Sequence, residues 1–163
     1  MTEVRTVRAT AAQKPVIARL VQLNLYDMTG DMPFPVGEDG LFQYDFLDRF
    51  WQHPYLIYVG EELAGFALVI DKCPITGTTP CWFMAEFFVL KGYRRRGVGG
   101  AAFAQIAGSH AGPWHVATIE RNRGATAFWN KVLSSRVTQL ATRHHFDEED
   151  WIVQAFDLPA AAE

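Results

Sequence analysis

Hydrophobic and polar positions follow two different periods along this chain, and each change of period marks a predicted element. Apolar and polar residues alternate from Val4 to Ala9, which predicts an opening strand. Apolar side chains then recur at helical spacing from Ala11 to about Met28, behind Thr10 as a helix cap. A second stretch at helical spacing, about Phe42 to Trp51, predicts another helix. Turn-forming residues from Gly30 to Gly37 separate the two helices.

The rest of the chain is predicted to form strands with two further helices between them. Two apolar runs flank a short glycine-containing turn, as in a hairpin, and a third follows a loop rich in Pro, Gly and Thr. The predicted strands are Tyr55 to Val59, Ala64 to Ile70, Trp82 to Leu90, Trp114 to Ile119, Val137 to Thr142 and Trp151 to Phe156. The predicted helices are about Val98 to Ser109 and Gly124 to Ser134.

The element order is therefore β-α-α-β-β-β-α-β-α-β-β. Hairpins and crossovers in one chain indicate an α/β (α+β) fold, in which a mixed sheet of about six or seven strands is flanked by about four helices. The sequence has no internal repeat and no low-complexity linker, so we expect a single domain over residues 1–163.

Composition and charge narrow the functional classes. Apolar residues make up 49% of the chain and charged residues 20%, as is typical of globular proteins. The net charge of −3 lacks the basic surplus of a nucleic-acid binder, so we expect no nucleic-acid partner. No stretch approaches the roughly 20 apolar residues that cross a bilayer, and no signal-peptide core is visible. We therefore expect no membrane partner. With Cys73 and Cys81 interpreted as free thiols, we expect a cytoplasmic location.

Positive charge is concentrated directly after the predicted strand that ends at Leu90. Arg94, Arg95 and Arg96 precede a glycine-rich helix start, Gly97-Val98-Gly99-Gly100. Glycine allows a ligand to approach the backbone closely. The first amides of a helix have no intrahelical partner and lie at the positive end of its dipole. The segment therefore predicts a phosphate site.

Three phosphate-binding templates compete for this segment. A Walker loop is excluded, because no Gly-Lys-Ser/Thr triplet occurs. The run from Gly97 to Ala102 fits the dinucleotide fingerprint G-x-G-x-x-A, with Glu120 about 20 residues on. However, six residues separate Leu90 from Gly97, and the remaining chain is too short for a doubly wound sheet. A nicotinamide-dinucleotide enzyme is therefore the less favoured alternative.

The third template fits the observed spacing. Arg94-x-x-Gly97-x-Gly99 after a strand resembles the R/Q-x-x-G-x-G/A pyrophosphate motif of the GNAT superfamily of acetyl-CoA-dependent N-acetyltransferases. Asn122-x-x-Ala125-x-x-Phe128-Trp129 resembles that family's later N-x-x-A-x-x-F-Y motif, and the predicted element order is similar to the family's. The resemblance implies a mostly antiparallel sheet, acetyl-CoA (coenzyme A) as acyl donor, no metal, and transfer to a small-molecule amine or peptide acceptor. It also leaves a homodimer open, since family members are often dimers.

The resemblance implies specific cofactor-binding residues. Backbone groups of Phe88, Val89 and Leu90 would pair with the pantetheine arm. Amides from Arg95 to Gly100, beside Arg94, would hold the pyrophosphate. From the second motif, Asn122 would contact the pantetheine or the thioester end, and Phe128 would also contact the cofactor.

Glu86 is the candidate general base. It lies within an otherwise apolar strand, where a carboxylate is costly unless it is used or paired. Several family members have a glutamate at about this point, whereas the structural alternative is a glutamate that faces solvent or pairs with an arginine. Asp27, Asp31, Glu38 and Asp39 near the loop after the first helix hint at a cationic amine acceptor.

The general acid stays unassigned. The tyrosine that the family usually places near the coenzyme sulfur corresponds to Trp129, and an indole does not donate a proton as an acid. Thr126, Tyr93 or water could replace it. The substitution leaves open an acyl-CoA-binding sensor module without turnover. His144 and His145 match no metal-site spacing, so we expect them in a solvated turn.

Overall fold

The computed structural model describes residues 3–160. Within that range the chain forms seven strands and three α-helices. The strands are β1 (Val4–Arg8), β2 (His53–Val59), β3 (Glu62–Ile70), β4 (Trp82–Val89), β5 (Gly112–Ile119), β6 (Thr142–Phe146) and β7 (Glu149–Leu158). The helices are α1 (Lys14–Met28), α2 (Val98–Gly108) and α3 (Arg123–Leu133), with short 3-10 turns at Ala11–Gln13 and Lys91–Tyr93.

The seven strands hydrogen-bond in the order β1-β2-β3-β4-β5-β7-β6. The pairs β1–β2, β2–β3, β5–β7 and β6–β7 are antiparallel, and β4–β5 is parallel. This arrangement confirms the predicted mixed, mostly antiparallel sheet. The parallel ladder is short, since it pairs Trp82 with Trp114 and Phe83 with His115. Residues 84–89 of β4 lie beyond it.

Contacts group the chain into two compact units. The first combines the chain up to Val69 with Ala85–Ile106, and the second combines Ile70–Met84 with the chain from Ala107 onward. Strand β4 contributes residues 82–84 to the second unit and residues 85–89 to the first. No helix in residues 3–160 is long and apolar enough to cross a membrane.

The first unit has a helix on each face of its strands. Leu56 and Ile57 are neighbours in β2, so their side chains point to opposite faces. Leu56 packs into a cluster that α1 supplies with Ile17, Leu20 and Val21, together with Phe66, Leu68 and Phe88. Ile57 packs instead with Val98 and Ala102 of α2 and with Val89. The period-two alternation of the strands therefore builds two apolar cores.

The second unit is built on the β5–β7 pair. Trp114 of β5 lies opposite Phe156 of β7, and their rings stack with centroids 6.2 Å apart. The Trp114 side chain is fully buried, and its Nε1 donates to the His110 carbonyl at 2.8 Å. Trp129 and Leu133 form the buried side of α3.

The predicted helix over about Phe42 to Trp51 was wrong. Residues 41–46 have neither helix nor strand, and residues 47–52 form turns. The backbone of Phe42 is bonded on both its N–H and its carbonyl by the Gln22 side chain, which holds it away from helical pairing. Within the predicted range, the Phe50 N–H donates to the Phe46 carbonyl at 2.9 Å, as in a helical turn. The chain therefore has three α-helices in its described part, rather than about four.

The predicted strand from Val137 to Thr142 was displaced. The strand begins at Thr142 and runs to Phe146, and it pairs with β7 through a two-residue turn at Asp147 and Glu148. Both turn residues have positive φ, of 52° and 62°, which suits a tight hairpin. Because β6 is largely exposed and polar, its sequence has no hydrophobic signal. His144 and His145 therefore lie in a strand, and their predicted place in a turn was wrong.

Candidate active site

Glu86 lies in the part of β4 that belongs to the first unit, and it faces α1. Its side chain points to the same side of the strand as Phe88, because side chains two residues apart share a face. The Tyr44 hydroxyl donates to Glu86 Oε1 at 3.1 Å. The Asn24 side-chain amide donates to Oε2 at 3.4 Å. Both carboxylate oxygens therefore have a neutral hydrogen-bond donor.

The environment of Glu86 changes its acidity. Removal from water raises the pKa of Glu86 from its ordinary 4.5 to about 7, and the hydrogen bond from Tyr44 acts in the opposite direction. Burial and the adjacent carboxyl group raise the pKa of Tyr44, so its hydroxyl keeps its proton and remains a donor. A carboxyl group with a pKa near neutrality has the acidity that a general base needs at neutral pH.

Sequence reasoning missed the two partners of Glu86. Asn24 belongs to the run of α1 positions that are otherwise apolar, and its side chain is 9% exposed. An amide on a buried helix stripe needs a polar partner, so this position was a usable signal. Tyr44 had no such signal, because it lies in the segment whose predicted helix does not form.

The end of β4 limits which backbone groups a ligand could pair with. The Leu90 N–H donates to the Ala64 carbonyl at 2.8 Å, so it is directed toward β3. The Phe88 carbonyl also faces β3, where a Cβ on Gly65 would lie 2.0 Å from it. Backbone groups alternate between the two edges of a strand, so those of Val89 point to the other edge. Of the three predicted pantetheine-binding residues, Val89 is the one with backbone groups on that edge.

Arg94 joins three parts of the first unit. Its Nε donates to the Val89 carbonyl at 2.8 Å, and its Nη2 donates to Asp27 Oδ2 at 2.6 Å. The guanidinium also lies over the Phe88 ring, 5.6 Å from its centroid. Asp27 has Lys91 as a second cation at 3.3 Å. Although burial alone would raise the pKa of Asp27, the two cations outweigh it and hold the pKa below its usual range.

These contacts bear on the acidic residues near the first loop. Asp27 is already neutralised by Arg94 and Lys91. Asp39 Oδ1 accepts the Leu41 N–H at 3.1 Å. Two of the four carboxylates that hinted at a cationic acceptor therefore have partners within the chain.

The glycine-rich helix start has the backbone form of an anion site. Arg95 and Gly97 have positive φ, of 60° and 75°. When residues in the left-handed backbone conformation alternate with residues in the right-handed one, successive N–H groups point to one side, as in known anion-binding concavities. The first helical hydrogen bond is made by the Ala101 N–H, at 3.1 Å to Gly97. A Cβ on Gly97 would meet no atom within 4 Å, so the space in front of it is open. The residues present therefore fit a phosphate group.

A cleft of about 520 Å³ lies beside α1. Its lining includes Gln22 and Tyr26, which are each two positions from Asn24 and so lie on the opposite side of the helix. The remaining lining residues are Leu23, Thr29, Phe34, Val36, Gly40, Leu41 and Phe42. The cleft is therefore on the outer side of α1, whereas Glu86 is on the inner side.

The second predicted motif lies in the second unit. Asn122 precedes α3, and its Oδ1 accepts the Ala125 N–H at 3.2 Å, so it caps the helix. The Phe128 and Trp129 rings meet edge to face, with centroids 4.9 Å apart. Trp129 is 6% exposed. The Thr126 hydroxyl donates to the Asn122 carbonyl at 3.0 Å. The contacts of Asn122 and Phe128 with a cofactor stay predictions.

Tyr93, in the first unit, was another residue considered as the acid. Its hydroxyl donates to Glu62 Oε2 at 2.6 Å, and this hydrogen bond raises the pKa of Tyr93. A hydroxyl that is committed to a carboxylate and has a raised pKa is a poor acid.

Most of the chain is similar to one known family. The sequence model of the acetyltransferase (GNAT) family matches residues 23–134. This range includes Tyr44, Glu86, the glycine-rich helix start and α3. No curated protein sequence matches the chain.

Solved structures share the fold at low sequence identity. A GNAT-family acetyltransferase from Streptococcus agalactiae 2603 is 16% identical, with a TM-score of 0.69 over 94% of this chain and 95% of that one. The ribosomal L7/L12 α-N-protein acetyltransferase RimL in complex with coenzyme A is 12% identical, with a TM-score of 0.65 over 99% and 97%. The ribosomal-protein-S18-alanine N-acetyltransferase from Escherichia coli is 16% identical, with a TM-score of 0.54 over 99% and 97%.

Across residues 3–160, no group of three or more His, Cys, Asp or Glu side chains could hold an ion. His145 Nδ1 lies 2.9 Å from Asp150 Oδ1, and His144 Nε2 lies 2.8 Å from Thr142 Oγ1. The two histidines thus have separate partners.

Proposed function

Because this chain belongs to the GNAT family of acetyltransferases, we propose that it transfers an acetyl group from acetyl-CoA to an amine, by direct transfer in a ternary complex. The observation that carries the proposal is Glu86, a carboxyl group with a pKa of about 7 that Tyr44 and Asn24 hold in place. The same strand leads through Arg94 to the open glycine-rich helix start. A base and an anion site on one strand-to-helix unit are what acyl transfer from a coenzyme requires.

Glu86 has the role of general base. An amine acceptor is protonated at neutral pH, and it must lose a proton before its nitrogen can attack a carbonyl carbon. In the carboxylate form, Glu86 takes that proton, directly or through one water molecule. Tyr44 and Asn24 keep the carboxylate in a fixed orientation during this transfer. The rate should therefore rise as the pH increases through about 7, where Glu86 becomes ionised.

The first unit provides the residues that would hold the acyl donor. Acetyl-CoA supplies the acetyl thioester, whose carbon–sulfur bond breaks as the new carbon–nitrogen bond forms. The amides from Arg95 to Gly100 would hold the pyrophosphate, assisted by the Arg96 guanidinium. The backbone of Val89 would pair with the pantetheine arm. Arg94 would act mainly by fixing this region to α1 through Asp27.

The departing thiolate needs no dedicated acid in this proposal. A thiol is far more acidic than an alcohol, with a reference pKa of about 8.5 for the cysteine side chain, so a thiolate is a fair leaving group. Water can protonate it after departure. The family's tyrosine role is therefore left unfilled by Trp129.

Two measurements test the proposed function. Calorimetric titration should show saturable binding of acetyl-CoA and no binding of NAD(P), since the dinucleotide alternative predicts the reverse. Release of free CoA should then depend on an acceptor when a panel of small amines and peptides is screened. Peptides with free N-termini belong in the panel, because two of the similar structures are ribosomal-protein N-acetyltransferases. Tight acetyl-CoA binding without release on any acceptor would instead support a sensor module.

We expect the Tyr44→Phe variant to change the pH profile. The change removes the hydroxyl that favours the carboxylate form but keeps the ring that shields it. The pKa of Glu86 should therefore rise above about 7, and the limb of kcat/KM that depends on it should move to higher pH. A pH series on the variant and the wild type measures the shift. A limb at the same pH in both proteins would show that Tyr44 does not act on the base.

Arg94 and Arg96 should differ when each is replaced by alanine. Arg94→Ala removes the hydrogen bonds to Asp27 and Val89, and we expect a loss of about 1 kcal/mol in the free energy of unfolding. Arg96 makes a long hydrogen bond, at 3.4 Å to the Gly92 carbonyl, and its guanidinium lies over the Tyr93 ring, 5.6 Å from the centroid. Because Arg96 is exposed, Arg96→Ala should lower the free energy of unfolding less than Arg94→Ala does, and it should weaken acetyl-CoA binding about fivefold. Denaturant unfolding and calorimetry separate the two effects. Equal stability in both variants would contradict the bracing role of Arg94.

A further inference from the structure

Gln22 makes two hydrogen bonds to the backbone of one residue. It lies on α1, and its Nε2 donates to the Phe42 carbonyl at 2.8 Å. The Phe42 N–H donates back to Gln22 Oε1, also at 2.8 Å. A side-chain amide that donates and accepts in this way copies the pairing between neighbouring strands. The two bonds join α1 to a residue 20 positions later in the chain.

Phe42 belongs to residues 33–46, which form neither helix nor strand. Two backbone hydrogen bonds within this segment close its tip on itself, from Gly37 to the Leu41 carbonyl at 2.8 Å and from Gly40 to the Gly37 carbonyl at 2.9 Å. They do not attach the segment to α1. The Gln22 amide provides that attachment, and it does so directly before the segment reaches Tyr44.

Tyr44 follows Phe42 by two residues, so a fixed Phe42 restricts where the tyrosine can go. Two residues of extended chain span at most about 7 Å. With the Phe42 backbone held on α1, the Tyr44 ring can reach only a small region, and its hydroxyl lies 3.1 Å from Glu86 Oε1. Asn24, two positions from Gln22, contacts the same carboxylate from the inner side of α1.

We infer that Gln22 is a positioning residue for acyl transfer, which holds Phe42 on α1 and thereby keeps the Tyr44 hydroxyl on Glu86. The inference rests on the proposed role of Glu86 as the base. Gln22 acts through Phe42 and Tyr44, and it has no part in the proton transfer itself.

The surroundings of the Glu86 carboxylate determine in which direction its pKa should change when Gln22 is replaced. Tyr44 from the segment and Asn24 from α1 contact the carboxylate, and Tyr44 is the titratable one of the two. Burial is the largest cause of the raised pKa of Glu86. If the segment is released, water reaches the carboxylate and its pKa falls from about 7 toward the ordinary carboxyl value of 4.5. This direction is opposite to the one expected for Tyr44→Phe.

The test compares Gln22→Leu with Gln43→Leu. Gln22→Leu removes both bonds to Phe42, and we expect kcat to fall about tenfold with an unchanged KM for acetyl-CoA. The pH-dependent limb should move to lower pH. Gln43 is the matched control, because it neighbours Phe42 and its amide donates to Asp45 at 2.8 Å. Gln43→Leu should have wild-type kinetics and pH profile.

A combination with Glu86→Gln separates this inference from the proposed function. If Gln22 acts through Glu86, adding Gln22→Leu to Glu86→Gln should cause no further loss of kcat. A tenfold loss that persists in that background would overturn the inference. Full activity of Glu86→Gln alone would overturn the proposed base instead.

A second substitution covers the case in which Gln22→Leu does not fold. Gln22→Glu retains an acceptor for the Phe42 N–H but loses the donor to the Phe42 carbonyl. Its kcat and pH profile should lie between those of wild type and Gln22→Leu. Wild-type kcat and pH profile in the folded Gln22 variants would contradict the positioning role.

Discussion

Replacement of Glu86 by glutamine should lower kcat by about a hundredfold and leave the affinity for acetyl-CoA nearly intact. General bases contribute roughly 10²–10⁴-fold to rates. Glutamine has the same shape and can still accept the hydrogen bond from Tyr44, but it cannot take a proton at neutral pH. The rise of kcat/KM with pH through about 7 should also disappear. Steady-state kinetics from pH 5.5 to 9, with acetyl-CoA affinity from calorimetry, measure all three effects.

The free energy of unfolding serves as a control for the Glu86→Gln variant. The folded protein holds the Glu86 proton more tightly than the unfolded chain does, because the pKa is about 7 against 4.5. Between those two pH values the unfolded state loses its proton first, so the wild type loses stability as the pH rises. Glutamine removes that loss, and the variant should be at least as stable as the wild type at pH 8. Turnover that is unchanged at every pH would remove Glu86 from the mechanism.

Replacement of Gly65 by alanine should lower the free energy of unfolding by about 3 kcal/mol or more. A Cβ at this position would lie 2.0 Å from the Phe88 carbonyl oxygen and 3.1 Å from Val89 Cα. These are backbone atoms of β4, so the strands must separate to admit the methyl group, and overpacking at that scale is strongly destabilising. Acetyl-CoA binding should fall as well, since Val89 is the proposed pantetheine contact. Denaturant unfolding measures the loss of stability.

Gly92→Ala is the matched control for Gly65. A Cβ on Gly92 would meet no atom within 4 Å, so the same chemical change has space to fit. We expect its free energy of unfolding to stay within about 0.5 kcal/mol of the wild type. Similar stability in the two variants would show that β3 and β4 do not approach as closely as the structure indicates.

The fold was predictable where burial produces a clear period. Strands β2 to β5 and helices α1, α2 and α3 bury whole faces, and their predicted positions agree with the structure to within a few residues. One predicted helix does not form and one predicted strand is displaced, because tertiary contacts decide both regions. The backbone of Phe42 is bonded by a side chain 20 positions away and lies outside any helix, despite its helical spacing with Phe46. The exposed β6 owes its position to a two-residue turn and to pairing with β7.

The residues of the candidate site were likewise predictable only where a local sequence pattern marks them. Glu86 stood out because a carboxylate in an apolar strand needs an explanation. The run from Gly97 to Gly100 stood out because several glycines are a costly way to begin a helix. The predicted contact of Arg94 with a phosphate stays a prediction. Its hydrogen bond to Asp27 joins residues 67 positions apart, a separation that spacing rules do not cover. Tyr44 lies 42 positions from Glu86 in an irregular segment, so no local pattern could have paired them.

Single-turnover release of CoA tests the central claim most directly. The protein is mixed with an equal amount of acetyl-CoA, and free thiol is followed with and without an amine acceptor from the panel. Direct transfer predicts thiol release only when the acceptor is present, one CoA for each acetylated amine, with a rate that rises through pH 7 in the wild type and not in Glu86→Gln. Release of one equivalent of thiol without acceptor, or no release with any amine or peptide, would contradict the account.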